Sequence, residues 1–258
     1  MARHPGIASA LDNDRGAGRT PSAQAAPVRF EVHPGRVFQA GCLALLLLVA
    51  LNFAGLAVRL RTDGPFLLRI SRLVVLDNEA NIPTLFNYAL LVGVLFLLVT
   101  LTLRANAAAD PWRHHWLGLS LIFLFLSYDE AAQMHEELTA VAAGFVDRVG
   151  IFYWTWVVPG ALFVLVVAAA FLRFVLALRR PEAWLVVLGG LLYVGGAIGV
   201  EMIGGDYASR HGMLSPTYLL IATVEETLEM LGLLVFGYAL LGLLADPDGT
   251  IRLRPTQR

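Results

Sequence analysis

The sequence predicts an all-α polytopic membrane protein, a bundle of six transmembrane helices with a short interfacial helix in the first outer loop. Hydrophobic residues make up 57% of the 258 residues and charged residues only 15%, whereas soluble domains average about 45–50% and about 25%. Six long apolar runs account for this excess. The composition is too apolar for a disordered chain, a nucleic-acid-binding protein or an ordinary soluble enzyme.

Each of the six runs is long enough to cross a bilayer, because a helix needs about 20 residues to span the ~30 Å hydrocarbon layer. They are residues 38–58, residues 84–103, the segments that begin at Trp116, Ile151 and Trp184, and residues 217 to about 244. A chain of this length is expected to form one transmembrane domain, residues 37–246. A disordered cytoplasmic tail, residues 1–36, is expected before it, and a short cytoplasmic tail, residues 247–258, after it.

The arginines predict the orientation of the bundle. All 19 basic residues are arginine. With the N-terminus inside, the cytoplasmic segments carry 13 of them and the outer loops carry 6. Because cytoplasmic loops are enriched in positive charge, both termini are expected in the cytoplasm. The absence of lysine is typical of a GC-rich bacterial genome, so the predicted location is a bacterial cytoplasmic (inner) membrane.

The first predicted outer loop contains a short amphipathic segment. Its apolar side chains recur at helical spacing, at Phe66, Leu67, Ile70, Leu73 and Val74. This pattern predicts a helix that lies in the membrane interface. The polar residues 77–81 are interpreted as a capping turn before Pro83, with the alternative that Glu79 reaches a site beneath it.

The third predicted span is unusual because its uninterrupted apolar run, Trp116 to Tyr128, has only 13 residues. A run this short cannot cross the hydrocarbon layer, so the helix is expected to continue through the polar residues behind it. At 1.5 Å per residue, Asp129 would then lie ~10 Å below the outer boundary. The polar residues of this segment are Asp129, Glu130, Gln133, His135 and Glu136.

Two further spans are expected to bring acidic side chains into the same half of the bilayer. Glu201 is placed ~4 Å below the outer boundary, at the end of the fifth span. In the sixth span Glu225 is placed ~12 Å and Glu229 ~18 Å below that boundary, and Glu226 lies between them. Three helices are therefore expected to place polar side chains in the same outer half of the bilayer.

On a helical wheel each polar set occupies one face. Asp129, Gln133 and Glu136 fall within about 60° of one another, and the three acids of the sixth span fall within about 100°. Both faces are expected to turn toward the interior of the bundle. His135 is about 120° from Asp129, which predicts a contact with a different neighbour or a position at the outer interface.

This chemistry indicates a functional site, because an ionised carboxylate at the bilayer centre costs roughly 2.5–3.5 kcal/mol. Several such groups must bind a cation, be protonated, form ion pairs with arginines or line a water-filled cavity. Carboxylates with one imidazole and no thiolate suit a hard or borderline divalent metal ion. The predicted metal ligands are Asp129, His135, Glu225 and Glu229, the predicted general base is Glu130 or Glu226, and Gln133, Glu136 and Glu201 complete the polar site.

The first functional hypothesis is a metal-dependent membrane enzyme that acts on a lipid or lipid-linked substrate from the outer face. The second is a small transporter coupled to protons or cations, for which acids at membrane depth are typical. The third is a non-catalytic membrane partner subunit that uses the acids for assembly. A hydrogen-bonded polar core that only links three helices is the structural alternative.

Overall fold

The computed structural model describes residues 30–246 and 251–253. The described helices all lie in one compact unit, Glu31–Arg252. Two short strands, β1 (Phe30–Val32) and β2 (Ile251–Leu253), pair in a two-stranded sheet.

Within the described residues the fold is almost entirely α-helical, which confirms the all-α prediction. The α-helices in chain order are α1 (Pro34–Arg59), α2 (Pro65–Arg72), α3 (Ile82–Ala107), α4 (Arg113–Ala132), α5 (Met134–Ala142), α6 (Val157–Ala177), α7 (Arg180–Val194), α8 (Glu201–His211) and α9 (Pro216–Leu244). A 3₁₀ turn, Gly150–Phe152, precedes α6, and a π-helical turn, Gly195–Val200, joins α7 to α8.

In the part of the chain that the structure describes, five helices are long and apolar enough to cross a membrane, which indicates a membrane location. They are α1, α3, α6, the continuous helix Arg180–His211 formed by α7 and α8, and α9. The third predicted span forms α4, which has 20 residues but is not one of the five. Two histidines near its start and Asp129 and Glu130 near its end lower its mean hydropathy.

Helix starts follow local capping chemistry. The side chain of Asn81 accepts a hydrogen bond from the backbone N–H of Thr84, and Pro83 lies in the first turn of α3. Ser215 caps α9 in the same way, by accepting from the backbone N–H of Tyr218. Both starts satisfy backbone donors that a helix leaves unpaired. The polar turn expected before Pro83 is therefore present.

Three expectations about helix continuity are wrong. The third segment does not run as one helix through Glu136, because Gln133 adopts the left-handed conformation (φ 54°) and separates α4 from α5. The fourth apolar helix begins at Val157 rather than Ile151. The fifth does not end at Glu201, since the π-helical turn carries the same helix on to His211.

The two predicted tails lie largely outside the described residues. Of residues 1–36, the described part begins at residue 30, where β1 is followed by the start of α1 at Pro34. Of residues 247–258, only β2 is described.

The predicted amphipathic segment of the first loop forms α2 and the two residues after it. Four of the apolar side chains there are exposed, with Phe66 at 72%. The exposed set is Phe66, Leu67, Ile70 and Leu73. This short helix therefore has an apolar face that no other described part of the chain covers.

Candidate functional site

A cavity of about 100 Å³ lies at the end of the bundle where α3 and α9 begin and α4 ends. A water molecule needs roughly 10–15 Å³ of such space, so the cavity has room for several waters or a hydrated ion. Seven carboxyl groups and one imidazole line it: Glu79, Asp129, Glu130, Glu201, Glu225, Glu226, Glu229 and His135. The other lining residues are Leu76, Thr84, Asn87, Trp156, Tyr193 and Ala197.

The break between α4 and α5 positions the imidazole. Because Gln133 has a left-handed backbone conformation, the chain turns back and His135 makes two contacts with Asp129. Its backbone N–H donates to Asp129 Oδ1 at 2.8 Å, and its Nδ1 lies 3.2 Å from Oδ2. The predicted separation of these two residues by 120° is therefore wrong, since it assumed an unbroken helix.

His135 lies in α5, outside the five apolar helices. Burial lowers the pKa of its imidazole, but the hydrogen bond and charge of Asp129, with Glu229 and Glu136 adding to them, outweigh burial and raise the pKa to about 9. The imidazole is therefore protonated at neutral pH. An imidazolium has no free lone pair, so the predicted role of His135 as a metal ligand requires loss of that proton.

The π-helical turn brings Glu201 into the site. Trp156 donates from Nε1 to Glu201 Oε1 at 3.3 Å, and Glu201 and Glu225 both line the cavity. The indole of Trp156 also lies against the imidazole of His135, with ring centroids 5.5 Å apart. Single π-helical turns are frequent at functional sites.

Gly196 allows the π-helical turn to approach α9 closely. A Cβ atom at this position would lie 2.8 Å from the backbone oxygen of Glu225 and 3.0 Å from Cγ of Glu229. Real Cβ contacts are not that short, so only glycine fits without a shift. This close contact holds Ala197 and Glu201 beside the acids of α9.

Asn87 enters the cavity from α3. It is 3% exposed, and its Nδ2 donates to Glu130 Oε1 at 3.1 Å. Its Oδ1 is buried and has no hydrogen-bond partner in the described part of the chain. Such an unsatisfied buried acceptor is uncommon and calls for an explanation.

An open groove of about 490 Å³ adjoins the cavity between the start of α3 and the end of α4. It is lined by Glu79, Ala80, Asn81, Thr84, Leu85, Tyr88, Glu130, Ala131 and Gln133. The residues Glu79, Thr84 and Glu130 line both spaces, so they form the boundary between them. The apolar side chain of Leu85 is 66% exposed at the groove.

Two walls of the groove carry strained backbone. Ala80 (φ 55°) and Gln133 (φ 54°) are both left-handed, a conformation that costs a residue with a Cβ roughly 1–2 kcal/mol. Strain of this kind concentrates at ligand clamps and active sites.

An apolar core closes the cavity toward the far end of the helices. Leu91 lies one turn beyond Asn87 on α3, and Leu233 lies one turn beyond Glu229 on α9; both are fully or almost fully buried. Their cluster includes Leu98, Trp116, Phe123, Phe174, Phe236 and Leu240. The acidic site therefore has the groove beside it on one side and apolar packing on the other.

The structure brings most of the predicted site residues together. The cavity is lined by Asp129, Glu130, His135, Glu201, Glu225, Glu226 and Glu229. Gln133 lines the groove instead, and Glu136 lines neither space. In residues 30–246 and 251–253, no three His, Cys, Asp or Glu side chains are arranged to hold one metal ion.

Several residues of the cavity are not singled out by the sequence pattern. Trp156 is the clearest case, because aromatics near a helix end are usually explained as interface anchors. Asn87 does carry a signal, since it is a polar amide inside an otherwise apolar span. Tyr193 lies in an apolar run and carries no such signal. Glu79 lines the cavity, which agrees with the alternative that it reaches a site beneath its loop.

Comparison with known proteins yields a family without an assigned activity. The family described as "Domain of unknown function (DUF8692)" matches residues 42–243, which is more than half of the chain. No curated protein and no solved structure matches the chain.

Proposed function

The chain belongs to the DUF8692 family, and we propose that it is a membrane-embedded enzyme that uses a divalent metal ion to act on a lipid or lipid-linked substrate. The observation that carries this proposal is the convergence of seven carboxyl groups on one small cavity that adjoins an open groove.

Charge balance supports a bound cation. Among the described residues, His135 is the only basic side chain that lines the cavity, so most of the negative charge there has no protein counter-charge. Burying unpaired charges is costly, and a divalent ion offsets two of them at once. We assign the ion to the α9 acids Glu225 and Glu229, which both line the cavity.

The arrangement favours a hydrated ion. No three His, Cys, Asp or Glu side chains of the described residues are arranged to hold one ion, which argues against a closed centre built from these ligand types alone. Mg²⁺ commonly keeps several waters and binds through one or two carboxylates. The volume of about 100 Å³ suits that mode of binding.

The groove provides the substrate's route to the ion. A headgroup would pass Glu79, Thr84 and Glu130, while an acyl or polyprenyl chain stays against the exposed apolar side of the groove at Leu85. The metal ion would polarise a phosphoryl or carbonyl oxygen, or activate a water molecule. Glu130 is the better placed of the two proposed general bases, because it borders both the groove and the cavity, whereas Glu226 borders only the cavity.

A transporter coupled to protons is the second candidate. The carboxyl groups that line the cavity support it, since acids at membrane depth are typical of proton relays in transporters. The apolar core around Leu91 and Leu233 opposes it, because transport requires access from both sides of the membrane.

The membrane placement is also part of the proposal. We propose six spans including α4, both termini in the cytoplasm of a bacterial inner membrane, and α2 lying in the outer interface with its exposed apolar face in lipid. The cavity then lies in the outer half of the bilayer. A cysteine placed at the exposed position Glu137, in a Cys42→Ala background, should react with an impermeant thiol reagent added from outside. Reaction only after permeabilisation would invert the topology.

Metal analysis tests the central claim. The purified full-length protein should carry a stoichiometric divalent ion and lose thermal stability when a chelator removes it, because a bound ion stabilises the folded state. Glu225→Gln/Glu229→Gln should lose the ion, whereas Glu137→Gln, an exposed acid of α5, should keep it. Metal-free protein whose stability ignores chelators would contradict the enzyme proposal.

A substrate test uses bacterial lipid extract. The protein should convert a component of the extract, detected by mass spectrometry, and Glu130→Gln should abolish the conversion. Solute uptake driven by a pH gradient into vesicles that contain the protein would instead favour the transporter.

A further inference from the structure

Asn87 combines two properties that its position in an apolar helix does not explain. Its side chain is almost completely buried and lines the acidic cavity. Only one half of its amide is used, since Nδ2 donates to Glu130 while Oδ1 has no partner in the part of the chain that the structure describes.

A second buried asparagine shows what a structural role looks like in this fold. Asn52 of α1 is 1% exposed, and both ends of its amide are satisfied. Its Nδ2 donates to Thr223 Oγ1 at 2.9 Å, and its Oδ1 accepts from the backbone N–H of Leu76 at 3.0 Å. Asn52 does not line the cavity. The contrast indicates that Asn87 Oδ1 is satisfied by something other than protein.

The neighbouring groups narrow what that partner is. An amide oxygen accepts a hydrogen bond or binds a cation, and amide and carboxylate oxygens are the ligands of hard divalent cations. The carboxylates around Asn87 cannot donate in their ionised form. The hydrogen bond to Glu130 fixes the amide, so Nδ2 is not available to the same partner.

We infer that Asn87 Oδ1 is a direct ligand of the divalent ion in the acidic cavity, an inference that rests on the proposed function. The ligand set then contains an amide oxygen besides carboxylates and water, which is the set of a hard ion of the Mg²⁺, Mn²⁺ or Ca²⁺ class. In the same arrangement Asn87 holds Glu130 at the boundary of the groove, so one side chain links the ion to the proposed general base.

Mn²⁺ tests this inference because its binding to the purified full-length protein can be followed by electron paramagnetic resonance. Asn87→Leu removes the oxygen and should weaken Mn²⁺ binding at least about tenfold. Asn87→Asp keeps an oxygen at the same position and should bind Mn²⁺ as tightly as wild type or more tightly. The matched control Asn52→Leu also loses a buried asparagine and should bind Mn²⁺ as wild type does.

The possible outcomes test the role of Asn87 separately from the proposed divalent-metal site on which it depends. Loss of Mn²⁺ from Glu225→Gln/Glu229→Gln but not from Asn87→Leu would overturn the role of Asn87 and leave the metal site standing. A wild-type protein that binds no divalent ion would overturn both. If Asn87→Leu does not fold, as judged by size-exclusion chromatography, Asn87→Asp decides: a tenfold weakening in that variant would refute the inference.

Discussion

The substitution Gly196→Ala probes how the π-helical turn holds the acidic site together. The new Cβ would lie 2.8 Å from the backbone oxygen of Glu225 and 3.2 Å from the backbone nitrogen of Glu229. Because both atoms belong to the backbone of α9, they cannot rotate away, and the turn and α9 must separate. Overpacking of this kind typically costs about 1–3 kcal/mol.

Two measurements check this expectation. Gly196→Ala should lower the thermal unfolding midpoint of the detergent-purified protein, and it should weaken Mn²⁺ binding because the acids of α9 move relative to Glu201. Gly195→Ala is the matched control in the same turn, where a Cβ meets nothing within 4 Å. Its effect on stability should be neutral or favourable, since alanine is the better helix former. Equal stability and equal Mn²⁺ affinity in the two variants would refute the role of close packing at Gly196.

Three further predictions concern the surroundings of the site. Because the pKa of His135 is raised from 6.5 to about 9 in the fold, its pairing with Asp129 should stabilise the protein fully below pH 6.5, and this stabilisation should be lost as the pH rises through about 9. Thermal unfolding of the wild type should show a falling midpoint across this range. A similar fall in His135→Gln would contradict the assignment of this pH dependence to His135. Ala80→Gly should leave the free energy of unfolding unchanged or raise it by up to about 1 kcal/mol, since it relieves left-handed strain. Ala131→Gly, on the helical wall of the same groove, should lower the free energy of unfolding by roughly 0.5–1 kcal/mol. A lower free energy of unfolding in both variants would show that Ala80 is not strained. Asn52→Leu should lower the free energy of unfolding by about 1–3 kcal/mol for each buried partner left unpaired. Thermal unfolding measures this effect, and an unchanged midpoint would mean that the hydrogen bonds of Asn52 do not contribute to stability.

One-sided access distinguishes the proposed enzyme from a transporter in physical terms. A transported cation must be released on the far side, and the buried leucines beyond Glu229 offer it no ligand there. A substrate that is lipid-borne needs only the groove. The strained residues Ala80 and Gln133 both line the groove, where a lipid-borne substrate of the proposed enzyme would contact them.

The helical class and the shared depth of the acids follow from local sequence pattern alone. Apolar runs of about 20 residues specify membrane helices because unpaired backbone groups are so costly in lipid. The rise per residue along a helix then predicts that Asp129, Glu225 and Glu229 lie in the same half of the bilayer. Their assembly around one cavity follows from this depth together with the burial of polar faces.

Contacts between residues distant in sequence set the details that a regular helix cannot predict. A helical wheel assumes unbroken periodicity, so it failed at Gln133, where one left-handed residue turns His135 back onto Asp129. The π-helical turn, which carries Glu201 to Glu225, is likewise set by contact with α9 through Gly196. Such departures from regular geometry are stabilised by distant partners, and for that reason local pattern does not reveal them.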